Sequence, residues 1–250
     1  PAKLDPWLRA HLYAQMLEDL YADFLDRFGL TEADFAPAAS KPSGKPSMGV
    51  GPYLGQKEKF TVLLTQNRSG YGRYVRRYLK VEDEHSYRHN FPDCYFYGGN
   101  FEVLDEYKRN LDIAFQSAVT AALVYNFLDA FRCTNQAAPL WFKLGLAHWY
   151  ARSLDPRWNQ WGGGGPSNPE EDREWDWAPR VYGLVKNEAA LSWEDMLRWN
   201  SAEDAKPRDH MIAWSRIDWI LAKKKEGLRQ LLLALTEALP GGGWIRTGDI

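Results

Sequence analysis

Residues 112–152 constrain the fold more than any other part of the chain, because they read as two apolar helices joined by a short polar elbow. The first run, residues 118–131, is apolar on nearly all sides, which is typical of a helix buried in a core. Residues 132–136 interrupt this run, and Pro139 suits the first turn of a second apolar helix that extends to Tyr150. We therefore expect a buried helix pair on which the other elements pack.

The N-terminal segment predicts a long amphipathic helix. Asp5 is a good helix cap, Pro6 suits the first helical position, and Gly29 is placed to end the helix. Apolar residues recur between them at helical spacing, beginning with Leu8 and Leu12. We expect this whole apolar face to be buried.

The next elements predict a small sheet. Residues 59–65 are β-prone, and the aromatic run at 94–104 around Gly98 and Gly99 predicts a strand, a bend and a second strand. A helical segment at 71–79 lies between them, and its arginines (Arg73, Arg76 and Arg77) read most simply as a solvated face. Further helices follow Ser192 and span 207–239. The elements predict an α+β fold, with a small sheet from about residue 59 to 104 and a helical remainder.

Two segments lack periodicity and predict long loops, residues 31–57 and 153–180. The second contains four tryptophans: Trp158, Trp161, Trp175 and Trp177. Indole rings in a polar loop either fold back onto the protein or contact a partner. We favour folding back, and docking of a partner is the functional alternative.

Composition excludes several classes of function. The chain has 250 residues and a net charge of −2, which argues against a nucleic-acid-binding surface. No apolar run approaches the roughly 20 residues of a membrane span. Two cysteines provide neither a zinc framework nor a disulfide scaffold. We expect one domain over residues 1–250, with the N-terminal helix and sheet in 1–104 and a mainly helical part in 105–250.

The second apolar helix carries a resemblance to a known family. Its sequence, Pro139-x-Trp141-Phe142-x-Leu144-Gly145-Leu146-Ala147, resembles the third-ligand helix of the gluzincin metallopeptidases of the peptidase MA-like superfamily. In that family the helix carries a glutamate ligand, and an HExxH helix precedes it. The resemblance extends more loosely to the helices at 207–239. It implies a zincin-like fold, in which a small mixed sheet is followed by a largely helical bundle around a cleft.

Placing the family motif on this chain removes the metal chemistry. If Leu144 takes the glutamate position, the two histidine positions fall on Ala121 and Tyr125 and the catalytic glutamate falls on Ala122. Catalytic zinc needs about three protein ligands, an open water position and a carboxylate base. The resemblance therefore implies a pseudoenzyme without metal, cofactor or catalytic residues.

The resemblance also implies where such a protein would bind. In gluzincin-like folds the strand before the metal helix is a sheet edge that pairs with peptide, and that strand corresponds here to Tyr95, Phe96, Tyr97, Gly98 and Gly99. We accordingly expect a protein or peptide partner and no nucleic acid. The family resemblance favours a secreted or periplasmic location.

Two other functions stay open. One is a hydrolase that kept the cleft and replaced its chemistry, using groups such as Tyr125, Asp129, Lys143 and His148. The other is a working metallopeptidase whose ligands lie elsewhere, but the chain contains no HExxH. We expect the pseudoenzyme.

Overall fold

The computed structural model describes residues 4–35, 51–82, 86–91, 94–102, 111–131, 138–159, 176–201 and 204–237. Within these ranges the helices are α1 (Pro6–Phe28), α2 (Arg68–Tyr74), α3 (Leu111–Ala130), α4 (Leu140–Leu154), α5 (Trp177–Lys186), α6 (Trp193–Leu197), α7 (Pro207–Lys223) and α8 (Lys225–Glu237). The strands are β1 (Thr61–Thr65), β2 (Ser86–Phe91) and β3 (Cys94–Asn100). A π-helical turn, Val75–Leu79, continues α2. The α+β class is confirmed.

The strands form one mixed sheet in the order β1–β3–β2. β1 runs parallel to β3, with Thr61 opposite Phe96, whereas β2 is antiparallel to β3, with Ser86 opposite Gly99. The predicted bend at Gly98 is wrong, because β3 continues through it as a single strand. A Cβ atom at Gly98 would lie 2.7 Å from the Tyr71 ring and 2.8 Å from the Phe96 ring. Glycine therefore makes room here for aromatic packing rather than for a turn.

The helix pair predicted for residues 112–152 forms the core. α3 packs along α4 and also contacts β2 and β3. Among the described helices, α3 alone is long and apolar enough to cross a membrane, but 67% of its apolar window is buried inside the fold. The described part of the chain therefore has no clear membrane span. α4 packs against α7 on another side.

α1 begins and ends as predicted, and its packing differs from the prediction only near its N-terminus. The Asp5 carboxylate accepts hydrogen bonds from the backbone N–H groups of Trp7 and Leu8, and Gly29 ends the helix in the left-handed region at φ 58°. Leu8 and Leu12 are not buried, with exposed fractions of 49% and 45%. From Tyr13 onward the predicted face is buried as expected, at Tyr13, Leu20, Phe24 and Phe28. Near the N-terminus the buried position is Arg9, which pairs with Asp112 on α3 (Nε to Oδ1, 2.9 Å).

Both predicted loops are shorter than expected. In the first, residues 32–35 form a 3₁₀ turn, Leu54 is fully buried, and the Gln56 side chain donates to the Ala130 carbonyl at 2.8 Å. In the second, α4 continues to Leu154 and α5 begins at Trp177. Residues 36–50 and 160–175 lie outside the described ranges.

Gly145 on α4 lies at the closest approach to α7, and this gives a stability prediction. A Cβ atom there would be 2.6 Å from the backbone oxygen of Ala213 and 2.7 Å from the Ile217 side chain. We expect Gly145→Ala to lower the free energy of unfolding by about 1–3 kcal/mol through overpacking. Urea denaturation followed by circular dichroism measures this change.

Gly183 on α5 provides the matched control, since a Cβ atom there meets nothing within 4 Å. Gly183→Ala should raise the free energy of unfolding by about 0.5–1 kcal/mol, because alanine loses less backbone entropy in a helix. If Gly145→Ala were stabilising to the same extent, the close contact between α4 and α7 would be disproved.

Candidate functional site

The four positions matched to the family's metal site lie in the α3–α4 core. Ala121 and Leu144 are buried, each with 4% of its surface exposed, while Ala122 and Tyr125 are half-buried. Methyl and isobutyl groups offer no lone pair to a metal ion. The interface therefore contains hydrocarbon at the positions where the family motif places two of its ligands.

A buried ion cluster lies one helical turn from these positions. Asp129 on α3 is fully buried, and its two carboxylate oxygens accept from different cations. Lys143 Nζ lies 3.0 Å from Oδ1, and the Arg88 guanidinium lies 2.5 Å from Oδ2. Arg88 also donates to Asn126 Oδ1 at 3.1 Å. We call Arg88, Asn126, Asp129 and Lys143 the Asp129 cluster.

Three elements meet in the Asp129 cluster. Asn126 and Asp129 are neighbours on one face of α3, Lys143 is in the first turn of α4, and Arg88 comes from β2. Backbone groups add to this connection: the Tyr95 hydroxyl donates to the Asp129 carbonyl at 3.0 Å, and the Asn126 amide donates to the Phe96 carbonyl at 3.3 Å. The cluster therefore holds the sheet against the helix pair.

The geometry of the cluster disfavours catalysis by Tyr125. Its ring lies beneath the Arg88 guanidinium, 5.2 Å from ring centre to Cζ. Burial raises the pKa of Tyr125 above its ordinary value, so the residue is a neutral phenol at physiological pH. Lys143 and Arg88 both direct their charge at Asp129. Arg88, Asp129 and Lys143 bind one another, an arrangement that balances charge rather than activates a nucleophile.

No group of three or more His, Cys, Asp or Glu side chains within the described ranges could hold a metal ion. The repurposed set of Tyr125, Asp129, Lys143 and His148 is only partly brought together. Tyr125, Asp129 and Lys143 belong to one neighbourhood, whereas His148 is directed toward α7.

His148 forms a second polar site with His210 on α7. Its Nε2 lies 2.8 Å from His210 Nδ1, and both side chains are buried. Trp177 packs edge-on against His148, with ring centres 5.0 Å apart. Arg152 stacks on Trp177 at 3.8 Å and donates to the Trp158 carbonyl. Two imidazoles next to a fixed guanidinium make a poor cation site.

Desolvation lowers the pKa of both histidines, and each shift has a further contribution. Burial lowers the pKa of His210 to about 4. Burial also lowers the pKa of His148 well below its ordinary value, and His210 and Arg152 add to this effect. At neutral pH both rings are therefore uncharged, and one donates a hydrogen bond to the other. Sequence reasoning missed this pair, although each histidine lies in an apolar helical run.

The predicted peptide-binding edge is wrong. Tyr95 to Gly99 lies in β3, the central strand, and β1 and β2 pair with its two sides. Tyr95, Phe96 and Tyr97 are buried, at 3–5% exposure. In gluzincin-like folds the strand before the metal helix lies at the edge of the sheet. Here the corresponding strand is β3, and β2 pairs with the side that would be the edge. The backbone of β3 is thus already paired.

The favoured prediction for the tryptophans of the second loop, that they fold back onto the protein, is confirmed for the two that the structure describes. Trp158 and Trp177 fold back onto the protein, with exposed fractions of 7% and 1%. They pack around His148 and Arg152, as described above. Trp161 and Trp175 lie outside the described residues.

Comparisons with protein-family models, with curated proteins and with solved structures found no match.

Proposed function

We propose that this protein is a catalytically inactive, gluzincin-like protein that acts by binding, as a docking or structural subunit of a protein assembly. The observation that carries the proposal is the pair of buried apolar residues, Ala121 and Leu144, at the positions of a histidine and the glutamate ligand. The Asp129 cluster beside them directs its charges inward and connects β2, α3 and α4. Such a site supports a rigid shell and not metal-assisted hydrolysis.

Two features of the fold support a zincin-like shell. A mixed sheet packs on a buried helix pair, and its antiparallel edge strand, β2, carries Arg88 to the pair of helices.

The repurposed hydrolase is the second candidate, since Tyr125, Asp129 and Lys143 do lie together. It is disfavoured because Lys143 and Asp129 bind each other and Tyr125 is held as a neutral phenol.

The metal prediction separates the pseudoenzyme from a working metallopeptidase, whereas hydrolysis that a chelator leaves unchanged would instead favour the repurposed hydrolase. We expect the purified protein, incubated with zinc and desalted, to retain far less than one zinc ion per chain by elemental analysis. We also expect no hydrolysis of a fluorogenic peptide library that a chelator inhibits. Stoichiometric zinc that disappears in Tyr125→Phe, or chelator-sensitive hydrolysis, would contradict the pseudoenzyme.

A gain-of-function variant serves as the control for this experiment. Ala121→His, Ala122→Glu, Tyr125→His and Leu144→Glu together rebuild the family's residues on the same backbone. If the shell is gluzincin-like, zinc should raise the melting temperature of this variant and not that of the wild type, because a ligand that binds only the native state stabilises it. A folded variant that zinc leaves unchanged would refute the proposed match of positions.

A further inference from the structure

The face of α2 and of its π-helical continuation, Val75–Leu79, that points away from the sheet is basic and aromatic. Tyr71 and Val75 anchor this segment, since both are fully buried and the Tyr71 hydroxyl donates to the Gly98 carbonyl at 3.1 Å. The opposite side exposes Arg73, Tyr74, Arg77 and Tyr78, which we call the α2 patch. The spacing of these residues places them next to each other on one helical face.

The two tyrosines of the α2 patch, Tyr74 and Tyr78, pack against each other in the isolated chain. Their rings lie 4.9 Å apart, and the Arg77 guanidinium lies 5.4 Å from the centre of the Tyr78 ring. Tyr74 and Tyr78 are nevertheless 37% and 62% exposed. Tyrosine and arginine are enriched at the centres of protein interfaces, where they supply much of the binding energy. Two partly exposed tyrosine rings that pack against each other are more typical of a contact surface than of a face that meets only solvent.

The charge of this surface selects an acidic partner. Residues 73–80 contain four basic side chains and no acidic one, and an acidic run follows at 82–84, of which Glu82 pairs with Arg76. The whole chain has a net charge of −2. The neighbouring Arg76 already demonstrates carboxylate binding, because its Nε lies 2.9 and 3.1 Å from the two oxygens of Glu82. Arginine suits carboxylates through such paired contacts.

The same charges favour a polypeptide over a nucleic acid. Nucleic-acid affinity depends on many phosphate contacts and on a broadly positive surface. This chain is slightly acidic overall, so its positive potential is local. A short acidic segment with apolar side chains needs only that local surface.

We propose that the α2 patch docks an acidic segment of a protein partner, with carboxylates on Arg73 and Arg77 and an apolar side chain against Tyr74 and Tyr78. This inference rests on the proposed binding function and assigns it a surface and a class of partner. In this proposal the α2 patch, and not the central strand β3, is the docking site.

The test uses the full chain and a short fluorescein-labelled peptide that repeats Glu-Glu-Leu. Fluorescence anisotropy measures the binding of the peptide to the protein. A Gln-Gln-Leu peptide of equal length removes the charge, and single-stranded oligothymidylate represents nucleic acid. We expect Arg73→Glu with Arg77→Glu to weaken binding of the acidic peptide by about tenfold or more. Tyr74→Ala with Tyr78→Ala should weaken it severalfold. The exposed pair Lys223→Glu with Lys224→Glu on the C-terminal end of α7 is the matched charge control and should have little effect.

Three outcomes would overturn the inference: equal binding of the glutamate and glutamine peptides, equal losses in the α2 and α7 charge variants, or tighter binding of oligothymidylate. Circular dichroism of each variant establishes that it is folded. None of these outcomes affects the metal prediction, whereas chelator-sensitive hydrolysis would defeat the proposed function even if the acidic peptide bound at the α2 patch.

Discussion

Asp129→Asn is expected to lower the free energy of unfolding by about 3–5 kcal/mol, the typical cost of removing one partner of a buried ion pair. The amide keeps the shape of the side chain but leaves the cation of Lys143, which is only 7% exposed, without its counter-charge. Arg88 loses the same carboxylate. Urea denaturation followed by far-ultraviolet circular dichroism measures the loss.

A paired replacement tests the physical cause. Asp129→Leu with Lys143→Met removes both buried charges and fills similar volume with hydrocarbon. Since desolvation offsets most of the attraction within a buried pair, this double variant should lose much less stability than Asp129→Asn. Arg88 loses the carboxylate in both variants, so the difference between them reports the burial of the Lys143 charge. A loss below about 1 kcal/mol in Asp129→Asn would show that the carboxylate is not buried against its partners.

The core of the fold was predictable because its signals are local. The apolar runs of α3 and α4, the Asp5 cap and Gly29 each act through adjacent or helically spaced residues, and the structure has them as expected. The class also followed, since the described elements form a small mixed sheet and a set of helices.

The order of the strands was not predictable from spacing. Local sequence shows that residues 94–100 are extended, but pairing of β3 with both β1 and β2 depends on contacts distant in the chain. The glycines illustrate the difficulty: a double glycine signals a bend, yet Gly98 is required by the rings of Tyr71 and Phe96. The predicted binding edge failed for this reason.

Some residues of the candidate site could be predicted from the sequence, but their contacts and the other residues of the site could not. Sequence placed Tyr125, Asp129 and Lys143 near the family's metal site, and the structure brings them together. It could not identify Arg88, which reaches the cluster from β2, or the pairing of His148 with His210 across α4 and α7. Both contacts join residues that are about 40 or more positions apart, where no periodic pattern extends.

The buried histidine pair makes acid sensitivity the second large effect that we expect. His148 and His210 are uncharged in the native protein, and Arg152 is the cation in their surroundings. A proton on either ring would place a charge among Trp158, Trp177 and Arg152, where burial opposes it. The unfolded chain meets no such penalty and takes up protons near the ordinary pKa of 6.5.

The sign of the effect follows from proton uptake. Below pH 6.5 the unfolded state binds protons that the native state refuses until about pH 4, where His210 titrates. Stability is therefore full above pH 6.5 and falls as the pH decreases toward 4, by about 3 kcal/mol for His210 alone. His148 contributes in the same direction, because burial lowers its pKa as well, so the decrease between pH 6 and 5 is larger than His210 alone would give. The lowered pKa of the Asp34 carboxyl, from its ordinary 3.8, acts only at still lower pH.

Urea denaturation at pH 7, 6 and 5 tests this prediction through the slope and not through absolute stability. His148→Phe with His210→Leu should remove most of the decrease between pH 6 and 5, even if the variant is less stable at every pH. His11→Gln alters an exposed histidine on α1 and should leave the slope as it is in the wild type. A wild-type stability that stays constant from pH 7 to 5 would mean that the two rings are hydrated. The packing of α4, α5 and α7 around them would then have to be different.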